Sequence, residues 1–139
     1  MEIISDSLSF STHGFGDMHD LTDSVSQKLS DHGLKNGIVT LFVPGSTGGL
    51  TTIEYESGLV KDFSELMEKI IPSDVNYHHD IRWGDGNGFS HVRASLLGPS
   101  LTVPFNDGRL SVGTWQQIIF VDFDNCPRTR TITLQYMGE

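Results

Sequence analysis

The spacing of apolar residues predicts two helices in the first half of the chain. Residues 2–10 alternate in part and predict a first strand, and residues 12–18, with two glycines, predict a loop. After Asp20, apolar residues four positions apart predict a helix that ends at Gly33. A second helix is predicted over residues 58–71, where apolar residues recur at helical spacing as far as Pro72.

The other apolar runs are short and predict strands. Residues 37–43 are almost continuously apolar, which predicts a strand buried on both faces, and residues 50–55 predict another. Later strands are predicted over residues 91–97, 101–105, 109–112, 116–123 and 129–137, with a tight hairpin turn at Asp107-Gly108. This order predicts one α+β domain over residues 1–139, an antiparallel or mixed β-sandwich with two helices packed on it.

Composition and charge restrict the classes of partner. The 139 residues include 18 acidic and 9 basic side chains, for a net charge of −9 at neutral pH. This balance argues against nucleic acid and anionic membranes, because both require a basic surface. The first residues lack a secretory signal pattern, and the longest uncharged stretch, residues 36–53, is rich in glycine and cannot span a membrane. With a single cysteine, Cys126, the chain forms no internal disulfide, and we expect a soluble cytoplasmic protein.

The polar segment at residues 72–90 carries the densest set of potential metal ligands. The candidates considered are four side chains of this segment and the histidine that follows it: His78, His79, Asp80, Asp85 and His91. Imidazole and carboxylate groups are the usual ligands of zinc and similar divalent ions, so a metal site is one interpretation. The other is a solvated polar loop, because the spacing matches no standard metal motif.

Three further groups are candidates for contact with a ligand. If residues 91–97 form a strand, His91, Arg93 and Ser95 share one face and suit a phosphate or carboxylate, although a solvent-facing strand has the same pattern. The turn at residues 44–49 offers the hydroxyls of Ser46 and Thr47, or is simply a tight connection. Gln116 and Gln117 open an apolar strand, where a buried amide either orients a ligand or fixes a turn.

Several elements together resemble the signature of the YjbQ family. They are residues 95–104 (SLLGPSLTVP), Gly108-Arg109-Leu110, Gly113-Thr114-Trp115-Gln116-Gln117, Tyr77-x-His79 and Asp85-x-Asn87-x-x-x-His91. The resemblance covers nearly the whole chain and implies an α+β sandwich subunit, a homotrimer and a metal-binding pocket that contains His79 and His91. Many relatives carry a histidine where this chain has Gly45. Asp80, Asp85, His78 or water would then complete the metal shell.

The resemblance also implies a function, because the family is associated with a secondary thiamine-phosphate synthase activity. That reaction joins a pyrimidinylmethyl diphosphate to a thiazole phosphate and releases diphosphate. On this interpretation, Zn²⁺ or Mg²⁺ on His79, His91 and Asp85 neutralises the leaving diphosphate, and the two histidines act in catalysis with Glu54 as general acid or base. The phosphorylated substrate is expected to contact Arg93, Ser95, Ser46, Thr47, Asn87 and Gln116. The alternatives are a metal-dependent hydrolase of small phosphate esters and a non-catalytic trimer that binds metal or a metabolite.

Overall fold

Eight strands and four helices make up the fold in the computed structural model, which describes residues 1–139. The strands are β1 Glu2–Thr12, β2 Asp17–Asp20, β3 Gly37–Phe42, β4 Gly48–Ile53, β5 Ser100–Asn106, β6 Arg109–Leu110, β7 Gln117–Asp122 and β8 Arg128–Gly138. The helices are α1 Thr22–His32, α2 Ser57–Ile70, α3 His78–Trp83 and α4 Gly88–Leu97. None of the helices is both long and apolar enough to cross a membrane.

The strands form two antiparallel sheets. The larger has the order β1-β8-β3-β5-β6 and the smaller has the order β2-β7-β4. The first and last long strands pair along their whole length, from Glu2 opposite Gly138 to Thr12 opposite Arg128. The prediction of an α+β fold with antiparallel sheets is confirmed, but four helices are present where two were expected.

Strand β7 contributes side chains to two hydrophobic clusters, one on each of its faces. Ile118 and Phe120 point into a cluster of 15 buried residues that the larger sheet and α1 complete. Ile119 and Val121 point into a cluster of 6 buried residues that includes Met67 of α2 and Ala94 of α4. Because each fully buried aliphatic side chain contributes about 1.5–3 kcal/mol, both clusters stabilise this central strand. Strand β7 therefore lies between the larger sheet with α1 on one side and helices α2 and α4 on the other.

Strand β3 has only one buried face, contrary to the prediction from its apolar run. Val39 and Leu41 are fully buried, whereas Ile38 and Phe42 remain 38% and 45% exposed. The alternation follows from the pleat of a strand in which only one face contacts the core. The outer face of the larger sheet therefore presents apolar side chains to solvent.

The prediction of a strand over residues 91–97 is wrong, because these residues belong to helix α4. The buried residues of the segment recur at helical rather than alternating positions: Phe89, Ser90, Arg93 and Ala94. Alanine and leucine favour helix, and only Val92 in the helix is β-branched. Gly98 ends the helix, with its backbone N–H bonded to the carbonyl of Ala94.

The long polar segment before α4 is not a simple loop. Residues 78–83 form helix α3, which ends at Gly84 in the left-handed conformation at a φ of 74°. Helices α3 and α4 contact each other. Helix α4 also packs on β4, which follows the turn at residues 44–47. This arrangement brings the histidine-rich segment close to the glycine-rich turn.

Candidate functional site

One histidine and two carboxylates converge at helix α3 and the residues that follow it. His79 Nδ1 lies 3.5 Å from Asp85 Oδ1 and 3.7 Å from Asp80 Oδ1. The three side chains offer ligand atoms that all lie within 4.8 Å of one another. His79 Nδ1 is also buried without a hydrogen-bond partner. An unpartnered imidazole nitrogen beside two carboxylates fits the divalent cation that the family resemblance implies.

Asp80 is fixed by backbone groups on both of its carboxylate oxygens. Its Oδ1 accepts a hydrogen bond from the Gly88 N–H at 2.8 Å, and its Oδ2 accepts one from the Tyr77 N–H at 3.2 Å. The bond from Gly88 holds the pKa of Asp80 below its ordinary value, against the opposing effect of desolvation. The carboxylate is therefore ionised and correctly placed beside His79 at neutral pH.

His91 links this group to an open cavity. Its ring packs on that of His79 with the centroids 4.4 Å apart. The cavity has a volume of about 210 Å³ and is lined by Gly45, Ser46, Gly48, His91, Ala94, Ser95 and Pro99. Of the predicted metal ligands, His79 and Asp85 therefore come together with Asp80, whereas His91 contacts this group through its ring and faces the cavity. His78 is exposed and lies outside the compact group.

Two of the predicted phosphate-binding residues line this cavity. Ser46 is exposed on the glycine-rich turn. Ser95 lies one helical turn after His91, and its hydroxyl donates to the His91 carbonyl at 2.9 Å. Ser46, Ser95 and His91 all line this cavity, so its wall combines an imidazole with two small polar side chains.

Arg93 does not share a face with His91, because the two residues lie on a helix and not on a strand. Its guanidinium is buried and donates to the Ile71 carbonyl from Nε at 3.0 Å and from Nη2 at 2.7 Å. Nη2 also pairs with Glu68 at 2.9 Å. Arg93 therefore caps the end of α2, since Ile71 directly follows that helix.

Thr47 and Asn87 lie in a buried network behind the cavity instead of in its wall. Both donate to the carboxylate of Asp124, Thr47 Oγ1 at 3.0 Å and Asn87 Nδ2 at 3.2 Å. Arg128 pairs with the same carboxylate at 3.0 Å. Burial alone would raise the pKa of Asp124, but these hydrogen bonds hold it below its ordinary value. Asp124 thus ties the glycine-rich turn to the residues that precede His91.

A second buried ion pair lies next to Asp124 and was not anticipated from the sequence. Arg130 donates to both oxygens of Asp122, from Nε at 2.7 Å and from Nη2 at 2.8 Å. Thr12 donates to the same carboxylate at 2.6 Å. The sequence did contain one signal for this pair. Two aspartates spaced two positions apart precede the turn after a very apolar strand, and two arginines with the same spacing follow it: Asp122, Asp124, Arg128 and Arg130. Burial opposes ionisation of Asp122, yet its bonds to Arg130 and Thr12 keep its pKa below the ordinary value.

Glu54 and Gln116 are not brought to the histidines. Glu54 lines a separate open cavity of about 460 Å³ with Trp115 and Gln117, at the end of β4 opposite to Gly48. The length of β4 separates the two cavities by roughly 17 Å, at about 3.3 Å per residue. Gln116 accepts a bond from the Gly113 N–H and donates to Thr52 Oγ1, so its amide fixes the turn before β7.

Comparison with known proteins identifies a protein family that matches nearly the whole chain. Residues 6–139 match the family described as "UPF0047 protein YjbQ-like". A UPF0047 protein of Methanothermobacter thermautotrophicus is 37% identical over 139 residues, 100% of this chain and 95% of the relative. One from Archaeoglobus fulgidus is 40% identical over 116 residues, 84% of this chain and 87% of the relative.

Solved structures show the same fold. A crystal structure of a YbjQ-like protein of unknown function from Sulfolobus solfataricus superposes with a TM-score of 0.93 at 32% identity and covers 99% of both chains. A hypothetical protein from Aeropyrum pernix superposes with a TM-score of 0.90 at 33% identity over the full length of both chains. The architecture, the sequence signature and these matches agree, and the chain belongs to the YjbQ family.

Proposed function

We propose that this chain is a thiamine-phosphate synthase-like transferase that uses the cavity beside His91. The observation that supports the proposal is the convergence of His79, Asp80 and Asp85 next to an imidazole that lines an open polar cavity. A divalent ion held by these three residues, Zn²⁺ or Mg²⁺, would neutralise charge on a departing diphosphate. The small phosphorylated substrate binds with its charged end in the cavity.

The reaction balances without an oxidant or reductant. The bond between the pyrimidinyl methylene carbon and the diphosphate oxygen breaks, and its electron pair leaves with the diphosphate. The lone pair of the thiazole nitrogen forms the new carbon–nitrogen bond. His91 donates a hydrogen bond to the departing diphosphate, and the hydroxyl of Ser46, which lines the same cavity, contributes a second donor.

The size of the cavity limits what one chain can hold. Its volume of about 210 Å³ lies below the roughly 300–1,000 Å³ of typical ligand pockets, so it accommodates a diphosphate end rather than two whole substrates. We propose that a neighbouring subunit of the expected homotrimer supplies the remaining wall. The exposed apolar side chains of Ile81, Trp83 and Leu96 on α3 and α4 offer a surface for such a contact. A cytoplasmic location is also part of the proposal.

The test is a direct assay of the full chain. Both substrates are incubated with the protein and Mg²⁺ or Zn²⁺, and thiamine phosphate is followed by mass spectrometry. We expect product from the wild type and a loss of about 100-fold or more in His91→Ala, since positioned donors contribute on this scale. His78→Ala is the matched control, because this neighbouring imidazole is exposed and outside the site.

Each other outcome has a defined meaning. No product from the wild type, or unchanged turnover in His91→Ala, contradicts the proposal. Release of phosphate from one substrate alone identifies a metal-dependent phosphohydrolase instead. Tight stoichiometric metal with no turnover identifies a non-catalytic binding protein.

A further inference from the structure

Arg130 is held rigidly beneath the glycine-rich turn. Two of its three guanidinium nitrogens are engaged: Nε and Nη2 bind the two oxygens of Asp122, and Nη2 also donates to Thr47 Oγ1 at 2.8 Å. The plane of the guanidinium also lies over the Phe120 ring, 5.8 Å from its centroid. Only 13% of the side chain is exposed. A guanidinium fixed in this way loses little conformational entropy when it binds a ligand.

The third nitrogen of Arg130 is free and lies next to Gly45, although Arg130 itself is not among the residues that line the cavity. Nη1 makes no hydrogen bond within the chain. A Cβ placed on Gly45 would lie 3.4 Å from Nη1, and Gly45 is one of the residues that line the cavity. Because glycine has no side chain, nothing at position 45 covers the guanidinium. Any larger residue there would stand against Nη1.

Arg93 and Arg130 differ in position rather than in occupancy. Each uses Nε and Nη2 for bonds within the chain, but the guanidinium of Arg93 lies at the Ile71 carbonyl and Glu68 at the end of α2, whereas Nη1 of Arg130 lies next to Gly45 in the cavity wall. Arg130 retains two unpaired N–H groups on Nη1, and arginine N–H groups match the oxygens of phosphate and diphosphate closely. The ion pair with Asp122 keeps the guanidinium aligned.

We infer that Arg130 is the anion-binding residue of the cavity, with Gly45 leaving its Nη1 open to a phosphate or diphosphate group. The identity of the ligand rests on the proposed function, whereas the anion site itself can be tested without turnover. This assignment replaces Arg93 as the arginine of the site. It also makes position 45 a determinant of specificity, since a side chain there would close the route to the guanidinium.

The experiment measures binding of inorganic phosphate and diphosphate to the full chain by calorimetry, without added metal. We expect diphosphate to bind the wild type, and Arg130→Gln to weaken it by about tenfold or more, the loss of one charge-assisted hydrogen bond. Arg130→Lys keeps the positive charge but loses the planar guanidinium, so its affinity for diphosphate should lie between those of the wild type and Arg130→Gln. Gly45→Val should weaken binding as Arg130→Gln does while leaving the ion pair intact. Arg109→Gln, an exposed arginine on β6, is the control.

The outcomes separate this inference from the proposed function. Absence of diphosphate binding to the wild type overturns the inference, as does unchanged affinity in a folded Arg130→Gln or in Gly45→Val. If Arg130→Gln unfolds, Gly45→Val alone decides the matter. Product formation in the synthase assay with Arg130-independent diphosphate binding leaves the function standing and rejects Arg130. Diphosphate binding that depends on Arg130, without product in the synthase assay, supports the assignment of Arg130 and contradicts the proposed function.

Discussion

Replacement of Asp124 by alanine tests whether one buried carboxylate holds the site together. Its side chain is 2% exposed and accepts bonds from Thr47, Asn87 and Arg128. In Asp124→Ala, Thr47 keeps its bond to Arg130, and Arg128 is half-exposed and can turn to water. Asn87 suffers most, because it is buried and its Oδ1 already lacks a partner.

The expected loss follows from these contacts. A stranded buried amide costs about 1–3 kcal/mol, and the bonds from Thr47 and Arg128 contribute about 1 kcal/mol each, for a total of about 3–5 kcal/mol. At about 3 °C per kcal/mol for a chain of this size, the Tm should fall by about 9–15 °C. Asp124→Asn keeps the shape and one acceptor and should lose about half as much.

Thermal and urea unfolding followed by circular dichroism measure both variants, with Asp62→Asn on the exposed side of α2 as the control. A free energy of unfolding for Asp124→Ala within about 1 kcal/mol of the wild type, the size of one ordinary hydrogen bond, would show that Asp124 does not hold the site together.

Three further predictions concern charge, packing and metal. Bonds from Lys28 and the backbone lower the pKa of Asp6 to about 2, so its stabilising effect is complete above its ordinary value of 3.8 and is lost as the pH falls towards 2. Asp6→Asn should therefore reduce the free energy of unfolding at pH 7 by about 1 kcal/mol and flatten its acid dependence; an unchanged acid transition contradicts this. In Gly48→Ala the new Cβ would lie 2.5 Å from the Phe120 ring, so the free energy of chemical unfolding should fall by about 1–3 kcal/mol. Gly45→Ala is the control and should keep the stability of the wild type, because its Cβ would meet no atom closer than 3.4 Å. Equal stability of the two variants contradicts this prediction. His79→Ala should weaken Zn²⁺ binding by about 100-fold in a chelator competition and His78→Ala should not; equal effects contradict the assignment.

The sequence was most informative where one physical rule dominated. The helix stop at Gly33 and the hairpin turn at Asp107-Gly108 both require positive φ, and the structure shows φ of 71° at Gly33 and 52° and 74° in the turn. Helix α2 was predicted nearly to the residue, because a single apolar stripe ending before Pro72 admits no other element. These features depend on neighbours in the chain alone.

The site was harder to predict because its parts depend on contacts between distant segments. Residues 91–97 alternate in polarity, and only the packing of Phe89, Arg93 and Ala94 distinguishes a helix from a strand. The sequence suggested His79, Asp85 and His91 as candidates for one site, and the structure brings His79 within 3.5 Å of Asp85 and packs the His91 ring on His79. It could not show that Arg93 is occupied by the end of α2, or that Arg130 approaches the turn 85 positions earlier at Gly45.

The most direct test of the account is a crystal structure of the protein with Zn²⁺ and diphosphate, in which anomalous scattering locates the metal. We predict an ion about 2.0–2.2 Å from ligand atoms of His79, Asp80 and Asp85, and diphosphate in the cavity against His91 and Ser46. A zinc ion bound elsewhere, or a cavity that stays free of diphosphate at saturating concentration, would contradict it.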